Sequence, residues 1–460
     1  MSFVTSVLDF YRDREYFANV VRIALPIATQ NLVMSSLNMV SVLMIGQLGE
    51  TELAAVGLAG QIFFLVNLVL FGIGSGAAMF TAQLWGKGDV ANIRRVLGLS
   101  LKLGVAGAAI FWALAIFAPQ AALSFYTEDP AVAALGADYL RIFGWTYPFF
   151  AVTFAYAFVL RSTGNVRAPM FVTILALTLN IFLAYGLIFG NFGLPKLGVI
   201  GAAWAGLAAR VFECVLMLVI VYRRPENPAA ASLTDILAFD WGFTVTVMTP
   251  VLPVIANEIL WSLGITTYNA IYARVGTDAI AAINIVGSID QLAFVAFIGL
   301  GNATAILVGN LIGKGEKEQA FKYAGRSLGL QIAAGVLIGL LVFLFADGIF
   351  SLYKVSAQVI ESARSILTLM AAAIWLRAAN MVIIVGILRA GGDTRFSLAL
   401  DGLVIWIVGV PLAAVAAFLL NWPVEFVYLM ALTEEVTKFI FCIWRFFSRK
   451  WINDLAQTIS

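Results

Sequence analysis

Apolar residues run along this chain in long stretches, interrupted by short clusters of glycine, proline and charged residues. The interruptions divide it into twelve apolar segments near 18–45, 52–80, 93–118, 131–160, 168–190, 197–222, 243–272, 278–311, 320–350, 357–388, 396–420 and 424–447. At about 1.5 Å of rise per residue, each is long enough as a helix to cross a hydrocarbon layer ~30 Å thick. The pattern predicts an all-α polytopic membrane protein with twelve transmembrane helices. Composition agrees: with 62% hydrophobic and 12% charged residues and a mean hydropathy of +0.96, the 460-residue chain has too little polar surface for a soluble globule.

Where the charges fall orients the helices. The connections carrying Lys87, Arg94, Arg95 and Lys102, then Arg161 and Arg167, Arg223 and Arg224, Lys314, Lys317, Lys322 and Arg326, and finally Arg389 and Arg395, all lie on the side of the termini. The opposite connections contribute only Lys196, Arg274 and Lys354. Because Lys and Arg concentrate on the inner face, both termini are expected in the cytoplasm of a multi-pass protein of the cytoplasmic (inner) membrane. Residues 1–17 place Asp9, Arg12, Asp13, Arg14 and Glu15 ahead of the first apolar run. They are expected to form an amphipathic segment on the membrane surface, not a signal peptide. A formal charge of +2 without basic blocks points to no nucleic-acid partner. There is no histidine, and the two cysteines, Cys214 and Cys442, sit inside apolar segments. A disulfide, a metal cluster, a cofactor and an enzymatic nucleophile–base pair are therefore all unexpected.

The chain also repeats itself. FGIGSGAAMFTAQLWGKGD at 71–89 recurs as IGLGNATAILVGNLIGKGE at 298–316, with Gly72/Gly299, Gly74/Gly301, Gly86/Gly313, Lys87/Lys314 and Gly88/Gly315 each 227 residues apart. The same offset joins Pro26 to Pro253 and Gly49 to Gly276, and one residue longer it joins LRSTGNVR at 160–167 to LRAGGDTR at 388–395. This internal duplication gives an N-lobe at 18–222, a linker at 223–242, a C-lobe at 243–447 and a cytoplasmic tail at 448–460. Each half holds an even number of spans, so the two share one orientation about an axis along the membrane normal. Two equivalent bundles with a site between or within them form the plan of an alternating-access transporter. The GxG runs lie inside apolar helices with no preceding strand, so they read as close helix packing, and the GKGD and GKGE turns as helix caps.

Within this plan, polar residues inside the spans carry the chemistry. Glu258, beside Asn257, falls near the midpoint of the seventh span, where a charge costs from roughly 2.5 kcal/mol upward; it reads as an ion- or proton-handling group. Its first-half equivalent is Asn31, and that of Asn257 is Gln30. The halves thus share shape but not charge, and coupling is expected in the C-lobe. Asp290 is the next acid at comparable depth, and Asn284, Asn380, Thr266, Thr267 and Tyr268 offer neutral oxygens. Na+ would use several such oxygens with one or two carboxylates, whereas H+ needs only a carboxyl, and both stay open. Arg377 either pairs with one of these acids or takes part in gating. Asp401, Glu434, Glu435 and Lys438 form a second charged group in the last two spans, read first as an interhelical ion pair of Asp401 with Lys438. Arg210 and Lys438 are 228 apart and equivalent in the repeat, which suggests packing or snorkelling to the interface. Phe154, Trp261 and Tyr268 are candidate walls of an apolar cavity that accepts flat cations.

The Pro26 helix with its IGQLG end, the paired GKGD and GKGE loops, the paired LRSTGNVR and LRAGGDTR turns, and the TLNIFL and LIFG pieces of 178–190 together resemble the multidrug and toxic compound extrusion (MATE) family. The similarity covers essentially all of residues 15–450. It implies a V-shaped, two-lobed, twelve-helix exporter that trades organic, often cationic, compounds for entering Na+ or H+. It implies Glu258 as a cation-binding carboxylate, because Glu258 matches the seventh-span glutamate of the NorM-like branch. The tenth-span aspartate of that branch matches Ala378, beside Arg377. Many relatives carry an aspartate where this chain has Ser41, and an acid where it has Ala184, four residues after the matching Asn180. Asn31, Ser41 and Asn180 are what the N-lobe offers instead. The expected partners are a small organic substrate, a coupling cation and the lipid bilayer, with the chain working as a monomer. The alternative is a lipid-linked precursor flippase or dedicated metabolite exporter of the same architecture. An Arg- and Lys-rich cavity would favour it, and only Arg210, Arg377 and Lys438 lie clearly inside the spans, which is thin.

Overall fold

The computed structural model describes residues 13–351, 353 and 355–459. Among these, every apolar segment is helical and no β-strand occurs. The helices are α1 (Arg14–Gly46), α2 (Glu50–Lys87), α3 (Val90–Phe117), α4 (Pro130–Phe143 with Thr146–Ser162), α5 (Arg167–Phe189), α6 (Val199–Tyr222), α7 (Trp241–Val275), α8 (Thr277–Gly313), α9 (Lys317–Leu344), α10 (Ala357–Leu388), α11 (Thr394–Leu419) and α12 (Val424–Ser448). Ten are long and apolar enough to cross a membrane, and α4 is an eleventh when its two pieces, bent by 50°, count as one span. The bend has a local cause: Pro148 lacks an N–H, and its ring crowds the carbonyl of Gly144 one turn earlier. The remaining helix, α12, has 25 residues and would measure about 37 Å. It is set apart by its charges, since Glu434, Glu435 and Lys438 sit in its middle.

Helix ends follow their cap residues. Gly88 closes α2 in the left-handed region (φ 78°), donating its N–H to Leu84 and Trp85, and Asp89 then caps α3 by accepting from Asn92 N–H at 3.1 Å. The glycine of the second GKG turn, Gly315, has the same conformation (φ 81°). Asp129 caps α4 and Ser356 caps α10, and these two positions are 227 apart. Arg161 and Arg389, at the far ends of the same two helices, are 228 apart. The extra residue therefore lies inside α10, whose last turns, Val382–Leu388, wind as π-helix. Much of α11 is also π-helical, over Leu398–Leu403, Ile405–Gly409 and Val415–Leu419.

Two compact units emerge, and their limits differ from the lobes expected at 18–222 and 243–447. One unit is Thr29–Val247; the other combines the chain up to Ala28 with Met248–Ser460. The changeovers fall just past Pro26 in α1 and just before Pro250 in α7. Side-chain contacts explain the reassignment of 13–28. Asp13 pairs with Arg326 at 2.6 Å, Tyr16 shares a hydrogen bond with Ser327 at 2.9 Å, and a Cβ on Gly299 would lie 2.9 Å from the Ala24 carbonyl. The 223–247 stretch likewise belongs with the first unit. Asp235 meets Arg94 at 3.2 Å, Arg95 donates to the Ala238 carbonyl at 2.6 Å and lies over the Phe243 ring, and the Ile236 carbonyl rests on Gly98. Below, N-lobe and C-lobe name these two units. Of the surface helix expected over 1–17, residues 1–12 lie outside the described residues, and from Arg14 the chain is already in α1.

Candidate functional site

The C-lobe holds a connected set of ionisable groups in an otherwise apolar bundle. Asn257 and Glu258 are adjacent on α7, so their side chains leave the helix about 100° apart. They meet different neighbours. Asn257, 1% exposed, donates from Nδ2 to Asp401 at 2.9 Å. Glu258 faces Arg389 at the end of α10, with 2.7 Å between carboxylate and guanidinium. On α12, Lys438 lies between two acids, 3.2 Å from Asp401 and 3.4 Å from Glu434 one turn back. Tyr268 of α7 donates its hydroxyl to Glu434 at 2.8 Å, and Asn380 of α10 donates to Glu435 at 2.7 Å. Asp290 of α8 pairs with Arg377 of α10 at 2.6 Å.

Backbone approach makes this density possible. A Cβ on Gly409 would overlap the Tyr268 hydroxyl and the Glu434 carboxylate, and one on Gly402 would press Asn257 Oδ1 at 3.1 Å. The set contains five carboxylates, Glu258, Asp290, Asp401, Glu434 and Glu435, against three cations, Arg377, Arg389 and Lys438. The buried amide oxygens of Asn257 and Asn380 have no hydrogen-bond partner among the described residues, so uncharged acceptor atoms border the surplus of carboxyl groups.

The N-lobe repeats the plan with other chemistry. Gln30 donates to Thr173 at 3.0 Å and accepts from Arg161 at 2.9 Å; Thr173 donates to Glu213 at 2.9 Å, and Arg210 pairs with Glu213 at 2.5 Å. Thr173 holds the repeat place of Asp401 and Arg161 that of Arg389, both at 228. Phe63 and Phe150 stand 227 before Asp290 and Arg377. Where the C-lobe has an ion pair, these two rings meet at 5.1 Å with Arg210 over Phe150. The chain of polar contacts ends at a cavity of about 330 Å³ lined by Asn38, Ser41, Phe63, Asn180, Arg210 and Glu213 among others.

Several expected roles change. The partner of Glu258 is Arg389, not Arg377, and Arg389 is no loop charge, being 4% exposed in its side chain. Asn284 is exposed and stays outside the network, as do Thr266 and Thr267, which bond within their own helix. Tyr268 is bound to Glu434 instead of walling a cavity, Trp261 is 41% exposed on the surface of α7, and Phe154 packs at a tilt between Phe150 and Phe158. Asn31, half-buried, has none of the charge partners that Glu258 has. Ser41 bonds the Leu37 carbonyl of its own helix and lines the cavity with Asn180 and Ala184. Sequence reasoning overlooked Glu213, 3% exposed, although it stands three residues after Arg210 on one helix face.

A family model described as MatE matches residues 26–186 and again 253–415, once in each half. Curated relatives include the probable multidrug resistance proteins NorM of Rhizobium meliloti, 29% identical with 94% of this chain and 93% of that one covered, and NorM of Thermotoga maritima, 25% identical with 86% and 84% covered. Among solved structures, the Vibrio cholerae MATE transporter VcmN aligns with a TM-score of 0.87 at 19% identity, covering 96% of this chain and 99% of that one. A MOP superfamily transporter from Pyrococcus furiosus aligns at 0.84 with 20% identity, covering 94% and 96%.

Proposed function

This chain belongs to the MatE family of membrane transporters, and we propose that it exports organic compounds, often cationic, in exchange for Na+ or H+, with Glu258 as the main coupling carboxylate. It does so in the cytoplasmic membrane with both termini inside. The relatives named as multidrug resistance proteins support a broad substrate range. One observation carries the coupling: five carboxylates stand against three cations inside an apolar bundle. Uncompensated charge at that depth costs several kcal/mol, which binding of one or two monovalent cations offsets. A bundle that is better neutralised with the cation than without it changes energy when the cation arrives or leaves, and this difference is what an exchanger uses to shift between conformations.

The test is efflux of a fluorescent organic cation from liposomes holding the purified chain, driven by an imposed Na+ or H+ gradient. Transport under one gradient that is lost in Glu258→Gln supports the assignment. Full transport in that variant removes Glu258 from coupling. A second reading, export of an anionic metabolite or lipid-linked precursor, draws on the N-lobe, where Arg210 lines the cavity with Glu213 and Arg161 joins the same network through Gln30 and Thr173. In the same assay it predicts competition by organic anions and none by organic cations.

A further inference from the structure

We propose that the segment 449–459 is a positioning latch that holds Arg389 on Glu258; this rests on the reading of Glu258 as the coupling carboxylate. The segment folds back against the turn between α10 and α11, and its contacts converge two to four residues beyond Arg389. Asn453 donates its backbone N–H at 3.0 Å and its Nδ2 at 2.9 Å to the Gly391 carbonyl. Trp451, 0% exposed, lays its carbonyl so close to Gly391 that a Cβ there would overlap it, and the Leu455 side chain would lie 2.8 Å from a Cβ on Gly392. From α12, Arg445 binds the Asp393 carboxylate with two bonds, at 2.6 and 3.1 Å.

Arg389 itself has little else to hold it. Its Nη1 lies 2.7 Å from Glu258 as an ion pair, and neither Nη1 nor Nε, both buried, has a hydrogen bond among the described residues. Its position is therefore set by the backbone it hangs from, and that backbone is clamped by 451–455. The other half supplies a comparison. Gly164, the equivalent of Gly392 and also at positive φ (85° against 74°), would have nothing within 4 Å of a Cβ, and the arginine before that turn, Arg161, meets the neutral Gln30. The covered turn is the one whose arginine holds a carboxylate. The other groups bearing on this pair are Asp401 on α11 and Glu434, Glu435 and Lys438 on α12.

The latch competes with the coupling cation through Arg389, since both seek the same carboxylate. Gly391→Ala drives the segment off, and Asn453→Ala removes the side-chain bond to the Gly391 carbonyl while leaving the backbone one. In liposomes, the half-saturating concentration of the driving cation is expected to fall about tenfold in Gly391→Ala, and less in Asn453→Ala, because an opposing cation beside a carboxylate weakens its hold on others by at least that factor. Neither variant should change it further in an Arg389→Gln background. Unchanged half-saturation in both variants, or effects that add to Arg389→Gln, would overturn the latch. Hydrogen exchange on the same proteins needs no transport. Faster exchange at 254–262 together with 388–393 is expected, and a change confined to 388–393 overturns the proposal. A chain that responds to neither gradient ends the coupling reading, while the exchange result still decides the latch.

Discussion

The two lobes are one design carried out in two chemistries. Gln30 and Asn257 extend their amides to Thr173 and Asp401, and Arg161 and Arg389 close the same corner. Yet Gln30, Thr173, Phe63 and Phe150 keep neutral in the N-lobe what Asp401, Asp290 and Arg377 make ionic in the C-lobe, and Gly206 stands where the C-lobe has Glu434. The N-lobe network borders a cavity, and the C-lobe network gathers five carboxylates. The repeat keeps the scaffold in register, and substitution at a few equivalent places makes one lobe's buried network rich in carboxylates and the other's poorer in them.

The sharpest way to break this contrast is to remove the arginine at the shared corner. Arg389→Gln leaves Glu258 charged and without its partner, at a cost of about 3–5 kcal/mol. Arg161→Gln loses a bond to a neutral amide and should cost no more than about 1–3 kcal/mol. Chemical unfolding of the detergent-solubilised variants compares them, and equal losses would show that charge is not what distinguishes the lobes. Glu258→Gln, which keeps a polar side chain of the same size against Arg389, is a gentler probe of coupling than Glu258→Ala. Next in size is packing. Gly409→Ala forces Tyr268 and Glu434 apart, an overpacking worth about 1–3 kcal/mol that should also reduce cation-driven efflux. Gly206→Ala meets the Phe143 ring at 3.0 Å, and a loss of about 1 kcal/mol, the low end for overpacking, with efflux kept is expected.

Smaller still is Ser41→Ala, which removes a hydroxyl bonded only to its own helix; stability should move by less than about 0.5 kcal/mol and efflux should persist. A large loss of efflux would place coupling in the N-lobe as well. The mildest effect concerns the linker. The Ser232 backbone N–H and hydroxyl, and then Arg94, hold the Asp235 carboxyl below its usual value of 3.8. Docking of the 233–237 helix is therefore supported in full above that value and weakens as pH falls through the lower, docked one. Limited proteolysis of 223–240 should accelerate only below about pH 4.

Much of the scaffold could be read from residues alone, because membrane-length apolar stretches and a fixed repeat offset are local or periodic signals. The acids of the C-lobe were legible for the same reason: Glu258, Asp290 and Asp401 interrupt apolar runs. Their partners were not. Arg389 belongs to a turn motif rich in glycine and arginine, and its placement on Glu258 depends on a side chain long enough to reach back among helices. Nothing in the spacing of Asn257 predicts that it meets Asp401, 144 residues away. The lobe limits moved because helix packing, not chain order, assigns the first half of α1 and the linker. Glu213 could have been found, since Arg210 three residues earlier marks a charged pair on one face of an apolar helix.

The π-helical turns of α10 solve a problem of phase. Adding one residue to an α-helix rotates everything beyond it by about 100°, which would swing Arg389 off the face that Arg161 keeps in the other half. Winding Val382–Leu388 more loosely absorbs the added residue within the turn, so the far end of the helix emerges facing as before. The two halves can thus differ in length while their corners stay in register, and an alignment of one half on the other needs its gap inside a helix and not in a loop.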